Sequence, residues 1–282
     1  MIPKVIHYCW YGRGPLSPEI EACIASWRKY CPDYELKLWN EDNSPMGTPW
    51  MHDAYRHQKY AFVADYMRFY VLYHHGGIYM DTDMLLIKPI DALLNDTAFV
   101  GREDVYNISM GIVGAEKGST FCSMCLELYD STKFNMAQPP IITRFITPHL
   151  FQYGFTEEDT TQHLSNGLVV YQSSYFYPIH YSQSFDLDDI IPRSTQESRH
   201  NNPAGNYGGF VKEGVPTYAI HLWNKSWVDE IKLLADGRYK EGFSLVWKRF
   251  KRTPILPFKY WKKVVKYAFY YCFHRNRESV KS

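Results

Sequence analysis

The apolar and polar positions of this 282-residue chain follow two alternating patterns. Longer stretches predict helices near residues 17–30, 55–75, 118–131 and 228–250. Short runs rich in β-branched and aromatic residues predict strands near residues 2–10, 35–39, 78–88, 97–101, 110–114, 168–171 and 217–221. Because strands and helices alternate, we expect an α/β fold whose mostly parallel central sheet is flanked by helices.

One predicted helix carries both an acid and a base. The segment from Tyr60 to Tyr73 is too long for one strand and contains neither Gly nor Pro, which predicts a buried helix. Its two charged residues, Asp65 and Arg68, are three positions apart and therefore share one face. Gly76-Gly77 should end this helix and turn the chain.

Two more carboxylates, Asp81 and Asp83, follow the apolar run Gly77 to Met80. Carboxylates placed this close repel each other unless a positive charge lies between them, and Mg²⁺ and Mn²⁺ prefer such oxygen ligands. An Asp-x-Asp pair alone is common, and a solvated acidic turn beside an ordinary Asp–Arg pair explains these residues equally well. The concentration of charge at one place favours a metal site.

The whole constellation resembles glycosyltransferase family 32, which includes yeast-type initiating mannosyltransferases, bacterial capsule enzymes and clostridial glucosylating toxins. In that family, Asp-x-x-Arg on a helix precedes a Gly-Gly-x-Tyr-x-Asp-x-Asp strand. The matching residues here are Asp65, Arg68, Gly76, Gly77, Tyr79, Asp81 and Asp83. The opening run from Ile2 to Gly12 is similar to the family's first strand. The resemblance implies a GT-A-type nucleotide-diphospho-sugar transferase fold.

The resemblance also implies roles for individual residues. Mn²⁺ or Mg²⁺ would be the cofactor, and the residues implied as its ligands are Asp81, Asp83 and His221. Asp65 and Arg68 would hold hydroxyls of the donor sugar. The residues implied for binding the nucleotide sugar are Trp10, Tyr79, Asn107, Lys225, Ser226 and Trp227. Trp10 would pack against the base, and Trp227 would cover the leaving group.

The implied activity is a metal-dependent retaining transfer of a hexose from a nucleotide sugar. A UDP-sugar is favoured over GDP-mannose, and the acceptor is a glycan or lipid-linked glycan, as in bacterial surface polysaccharide synthesis. The residues themselves leave two alternatives open. Phosphatases of the haloacid-dehalogenase type also place Asp-x-Asp after an apolar strand, with Asp81 as the nucleophile here. A glycan- or membrane-binding module without catalytic activity would need no metal at all.

The charge of the chain is unevenly distributed. Residues 248–282 contain eleven Lys or Arg and one acid, whereas the first 247 residues contain 20 basic and 29 acidic residues. We therefore expect a transferase domain over residues 1–250 and a basic, aromatic, membrane-associating helix over 251–282. Residues 258–277 would lie on an anionic membrane surface, and this use is favoured over nucleic-acid binding and over packing on the body.

The sequence also predicts where the protein works. It shows no signal peptide and no apolar run long enough to span a bilayer, so we expect a cytoplasmic protein at the inner face of the cell membrane. The six cysteines include a lone Cys-x-x-Cys, Cys122 to Cys125, inside a predicted helix without a second pair. Buried thiols are therefore favoured over a zinc or redox site.

Overall fold

The computed structural model describes most of the chain. The described residues are 1–135, 139–183, 185, 190–191, 207–211, 213–223, 234, 239, 242–244, 246–247, 261–262 and 264–268. The chain divides into two compact units, Met1–Asn224 and Lys225–Ser282. The expected domain boundary near residue 250 stays a prediction.

The strands in the described part of the chain are β1 (Val5–Cys9), β2 (Glu35–Trp39), β3 (Gly77–Met80), β4 (Met84–Leu86), β5 (Ala98–Arg102), β6 (Ile108–Ala115), β7 (Gln162–His163), β8 (Leu168–Tyr171) and β9 (Ala219–His221). Seven of them form one sheet in the order β2-β1-β3-β6-β5-β8-β7. Strand β6 runs antiparallel to both of its neighbours, and β7 runs antiparallel to β8. The other five strands share one direction, which confirms the expected mostly parallel sheet.

The apolar stretch predicted as one strand near residues 78–88 is two strands that belong to different sheets. Strand β3 lies in the centre of the large sheet, whereas β4 pairs antiparallel with β9 in a small two-stranded sheet. Between them the chain turns at Asp81-Thr82-Asp83, where the Met84 amide donates to the Asp81 carbonyl over 3.0 Å. The acidic pair therefore occupies the passage from one sheet to the other.

Within the described residues 1–183, the helices are α1 (Pro18–Tyr30), α2 (Pro49–Arg56), α3 (Tyr60–His75), α4 (Thr120–Asp130) and α5 (Ile142–Ile146). The helix predicted near 228–250 lies mostly outside the described residues. The stretch predicted as one helix near 55–75 belongs to two, because the chain breaks after α2 and Gln58 adopts a φ of 56°. Helix α3 ends where expected, at Gly76 with a φ of 68°. A Cβ on the next residue, Gly77, would lie 2.7 Å from the Val5 carbonyl oxygen, so only glycine fits there.

Helices cover both faces of the large sheet. On one face, Val63 and Met67 of α3 belong to the same buried cluster as Val100 and Val113 of the sheet. On the other face, Trp27 of α1 belongs to a second buried cluster together with sheet residues such as Ile78 and Ile112. The alternation of neighbours such as Ile112 and Val113 follows from the period of two in a strand.

Two further sequence expectations concern the described residues. Five cysteines, Cys9, Cys23, Cys31, Cys122 and Cys125, are free and buried, as the reading of buried thiols requires. Among the residues that the structure describes, no helix has the length and apolarity needed to cross a membrane. The expected membrane-associating segment, residues 258–277, lies mostly outside the described residues.

Candidate functional site

Backbone hydrogen bonds bring three sequence-predicted ligands together at one edge of the large sheet. Asp81 follows β3, and its amide donates to the carbonyl of Gly111 in β6 over 2.7 Å. Asp83 precedes β4, and its carbonyl accepts from the Leu222 amide over 3.0 Å. This bond continues the β4–β9 ladder in which Met84 lies opposite His221. The passage of the chain from one sheet to the other thus places both acids near His221.

The side chains of Asp81, Asp83 and His221 offer three ligand atoms that all lie within 4.8 Å of one another. The Nε2 atom of His221 is 3.1 Å from Oδ1 of Asp83. Burial alone would lower the pKa of His221, but the carboxylates of Asp83 and Asp81 outweigh it and raise that pKa above its ordinary value. The imidazole is thus electrostatically tied to both acids.

The cluster fits a divalent cation. Two carboxylates and one imidazole converge there, and these are oxygen and nitrogen donors that such cations accept. The Nδ1 atom of His221 is buried and has no hydrogen-bond partner in the described part of the chain. Burial and the nearby Asp83 raise the pKa of Asp81, against the lowering effects of Arg68 and His221. An added positive charge would relieve this repulsion.

A buried ion pair on α3 supports Asp81 from behind. Arg68 donates to Asp65 Oδ1 over 2.7 Å and to the Met110 carbonyl, and its guanidinium lies 3.4 Å from Asp81 Oδ1. The pKa of Asp65 is raised by burial to about 7, although Arg68 lowers it. The side chains of Arg68 and Asp65 are only 5% and 10% exposed, whereas that of Asp81 is 30% exposed. The pair therefore anchors an acid that remains accessible to a ligand.

Tyr79 and Gly111 set the direction of the Asp81 carboxylate. The buried Tyr79 hydroxyl donates to Asp81 Oδ1 over 3.0 Å, and the same ring lies 4.7 Å from the Arg68 guanidinium carbon. A Cβ on Gly111 would lie 3.6 Å from Asp81 Oδ2 and 3.1 Å from the Tyr177 hydroxyl. Oδ1 is engaged by Tyr79 and Arg68, and Oδ2 is the oxygen that lies beside Gly111.

The other predicted donor-site residues have different settings. Trp10 follows β1, is half-buried, and donates from its indole to the Gly14 carbonyl over 2.6 Å. Asn107 precedes β6, where its side-chain amide donates to Asp104 Oδ1 over 3.2 Å. Lys225, Ser226 and Trp227 lie outside the described residues.

From residues 107–111 the sequence predicted a role for Asn107, and the position of Gly111 at the other end of that segment was missed. The structure brings the other end of that segment to Asp81, with Gly111 beside its carboxylate and the Met110 carbonyl against Arg68. The available signal was a glycine inside a run that otherwise reads as a strand, which often marks a close approach of another group.

Two family models match the chain. The glycosyltransferase sugar-binding region containing DXD motif matches residues 17–100, which include the acidic pair. The alpha 1,4-glycosyltransferase conserved region matches residues 114–237, which include His221. Together the two models span both halves of the ligand cluster.

Curated relatives point the same way. The chain is similar to inositol phosphoceramide mannosyltransferase 3 of Schizosaccharomyces pombe, with 31% identity over 159 residues, 53% of this chain and 43% of the relative. It is also similar to lactosylceramide 4-alpha-galactosyltransferase of Mus musculus, with 23% identity over 191 residues, 65% of this chain and 47% of the relative. The chain thus spans less than half the length of these two relatives.

Among solved structures, the PaToxG glycosyltransferase matches with a TM-score of 0.43 and 21% identity. The match covers 54% of this chain and 68% of that chain.

Proposed function

We propose that the chain transfers a hexose from a nucleotide sugar to a hydroxyl of a glycan or glycolipid, because two glycosyltransferase family models match residues 17–100 and 114–237. The observation that carries the proposal is the convergence of Asp81, Asp83 and His221 within 4.8 Å at the edge of the sheet. Ligands of open α/β sheets bind at such an edge, outside the carboxyl ends of the strands. A donor diphosphate bound there would meet the acidic cluster.

The proposed cofactor is Mn²⁺ or Mg²⁺, held by Asp81, Asp83 and His221. When bound, a divalent cation supplies the positive charge that stabilises a departing nucleoside diphosphate. Two carboxylates and a histidine cannot bind a diphosphate by themselves, since carboxylates repel it. This requirement makes the proposed reaction metal-dependent.

The chain's own residues orient the reacting groups. Arg68 and Tyr79 engage Oδ1 of Asp81, so that Oδ2, beside Gly111, is the oxygen left for a ligand. Asp65 and Arg68 are proposed to hold hydroxyls of the donor sugar through the small exposed part of each side chain, 10% and 5% respectively. The acceptor hydroxyl would attack from the face that the diphosphate leaves, which retains the anomeric configuration. The leaving phosphate would take the proton of that hydroxyl.

The donor we favour is a UDP-hexose, with GDP-mannose as the second candidate. The half-buried Trp10 at the end of β1 offers an aromatic face for the base. The relatives' names include both a mannosyltransferase and a galactosyltransferase, so they leave the hexose open. The names of both relatives refer to a ceramide lipid, which supports a lipid-linked acceptor.

A lipid-linked acceptor is met at a membrane surface. We propose that residues 258–277 bind the anionic inner face of the cell membrane, because they combine lysines with aromatic residues. Flotation with vesicles containing phosphatidylglycerol tests this point. Glutamine substitutions at Lys259, Lys262, Lys263 and Lys266 should abolish co-flotation, and unchanged flotation would contradict it.

Nucleotide release from UDP-glucose, UDP-galactose and GDP-mannose, measured with Mn²⁺ and with EDTA, tests the proposed activity. Release should require metal and fall at least about a hundredfold in Asp81→Asn, since charge stabilisation of this kind is worth about that much. The matched control is Asp33→Asn, an exposed acid that binds Lys4 far along the chain from the acidic pair. Release from none of the donors, with a phosphoenzyme formed on Asp81, would favour the phosphatase alternative instead.

A further inference from the structure

A cavity of about 300 Å³ lies beside the loop between β5 and β6. Its lining combines aromatic, cationic, anionic and amide side chains, among them Tyr106, Asn107, Arg144, Thr147, Phe151 and Glu157. This volume is at the lower end for small-molecule sites, and the mixed lining suits a ligand with both hydroxyls and C–H faces. None of these residues belongs to the acidic cluster.

Two buried side chains hold the walls of this cavity together. Arg102 is fully buried and donates to the Val105 carbonyl over 2.6 Å and to the Thr156 carbonyl over 2.7 Å. It thereby connects the β5–β6 loop to the segment that follows Phe155, whose ring lies 4.4 Å from the guanidinium carbon. Thr147 accepts from the Ile108 amide over 3.2 Å. Burying an unpaired guanidinium is costly, so the two hydrogen bonds of Arg102 stabilise the contact between the two walls.

The two aromatic side chains of the cavity are exposed although hydrogen bonds join its walls. Tyr106 is 61% exposed and Phe151 is 47% exposed. The turn that presents Tyr106 is fixed by Asp104, whose Oδ1 accepts from the amides of Tyr106 and Asn107 over 2.8 Å each. Both rings therefore present apolar faces to solvent beside the cavity.

The cavity lies on the same edge of the sheet as the acidic cluster. Gly111 of β6 is bonded to Asp81, and Asn107 lies four residues earlier, or about 13 Å along the strand at ~3.3 Å per residue.

We infer that this cavity binds a sugar ring of the acceptor glycan, one or more residues away from the hydroxyl that is glycosylated. The inference rests on the proposed function, since it presumes a saccharide acceptor. The faces of Tyr106 and Phe151 stack on the C–H face of the ring, and Arg144, Glu157 and Asn107 bond its hydroxyls. The cavity thus selects acceptors that already carry a sugar, and it has no part in binding the nucleotide.

Saturation-transfer NMR with methyl β-lactoside and methyl α-mannoside tests the inference on the full chain. The variants are Tyr106→Ala and Phe151→Ala, and the matched control is Val105→Ala, which changes an exposed side chain in the same loop. We expect transfer to ring protons of at least one glycoside, a drop of about threefold or more in each aromatic variant, and no change in the control. Added UDP with Mn²⁺ should not displace the glycoside.

Two results would overturn the inference: neither glycoside receives saturation from the wild type, or the aromatic variants retain the wild-type signal. Displacement of the glycoside by UDP would also overturn it, because the cavity would then belong to the donor. Melting with UDP and Mn²⁺ reports separately on the donor site. The wild type could lack this nucleotide response while Tyr106→Ala still loses glycoside binding. That pair of results would contradict the proposed function and leave the sugar site supported.

Discussion

The two acids of the Asp-x-Asp pair are held in different ways. Asp81 ends a strand of the large sheet and is supported by Arg68 and Tyr79, which lie 13 and 2 residues before it in the chain. Asp83 begins a strand of the small sheet and faces His221, which is 138 residues away. The side-chain support of Asp81 therefore comes from a short continuous segment, whereas the partner of Asp83 comes from a distant part of the chain.

Because of this difference, we expect the Asp81 half to contribute mainly to the stability of the fold and the Asp83 half mainly to metal binding. The Asp81 half contains a buried ion pair whose removal should weaken the fold, whereas the Asp83 half should matter mainly when a metal binds. Substitutions in each half therefore test whether the two halves differ in this way.

The largest expected effect is that of Arg68→Ala. It leaves Asp65 buried without its cation and removes the group next to Asp81, and breaking a buried pair in this way costs about 3–5 kcal/mol. Urea unfolding in EDTA measures the change. Arg13→Ala, which breaks an exposed pair with Asp42, is the matched control and should leave stability unchanged. An equal, small effect of both substitutions would show that the Asp81 half is not a structural anchor.

The next effect is a pH dependence that originates at Asp65. Burial raises the pKa of this acid from 3.8 to about 7, so the folded protein holds its proton more tightly than the unfolded chain does. Its contribution to the free energy of unfolding is therefore full below the lower value and is lost as pH rises toward the higher one. Unfolding of Asp65→Asn across this range should show a shallower fall than the wild type. An identical slope would place the titration elsewhere.

His221→Ala tests the other half of the cluster. Loss of one of three ligands should weaken Mn²⁺ binding by at least about tenfold, the scale on which changes around metal sites act. Titration calorimetry measures the affinity, and His163→Ala, at an exposed histidine of β7, is the control. If Mn²⁺ binds equally well to both variants, His221 is a structural partner of Asp83 and not a ligand.

The smallest expected effect is that of Tyr79→Phe, which removes only the hydrogen bond to Asp81 Oδ1. Stability should fall by about 1 kcal/mol. Tyr171→Phe removes a comparable bond to Asp96 over 2.7 Å, away from the acidic cluster. Both variants should lose similar stability in urea, but only Tyr79→Phe should slow metal-dependent nucleotide release. Equal activities would show that the orientation of Asp81 does not depend on Tyr79.

The locally built half of the site was predictable from the sequence. The spacing of Asp65 and Arg68 on a helix, the Gly76-Gly77 turn and the position of Asp81 all follow from rules that act within a few residues. The alternation of strands and helices likewise predicted the mostly parallel sheet.

Long-range features were harder to predict. The break at Asp81-Thr82-Asp83 was missed because both flanking strands are apolar, and only the pairing of β4 with β9 separates them. His221 was found through the resemblance to known transferases and not through any local signal. The cavity beside Tyr106 was not foreseen, because it depends on Arg102 joining segments that are 54 residues apart.

Thermal melting with UDP or GDP, each in Mn²⁺ and in EDTA, tests whether the acidic cluster is a metal-dependent donor site. A nucleotide at about a hundredfold excess over its Kd should stabilise the folded protein by about 2.7 kcal/mol, which raises the Tm by roughly 5–10 °C. We predict this rise for UDP with Mn²⁺ in the wild type, and its loss in EDTA and in Asp83→Ala. A wild type whose Tm responds to neither nucleotide in Mn²⁺ would contradict a metal-dependent donor site at the acidic cluster.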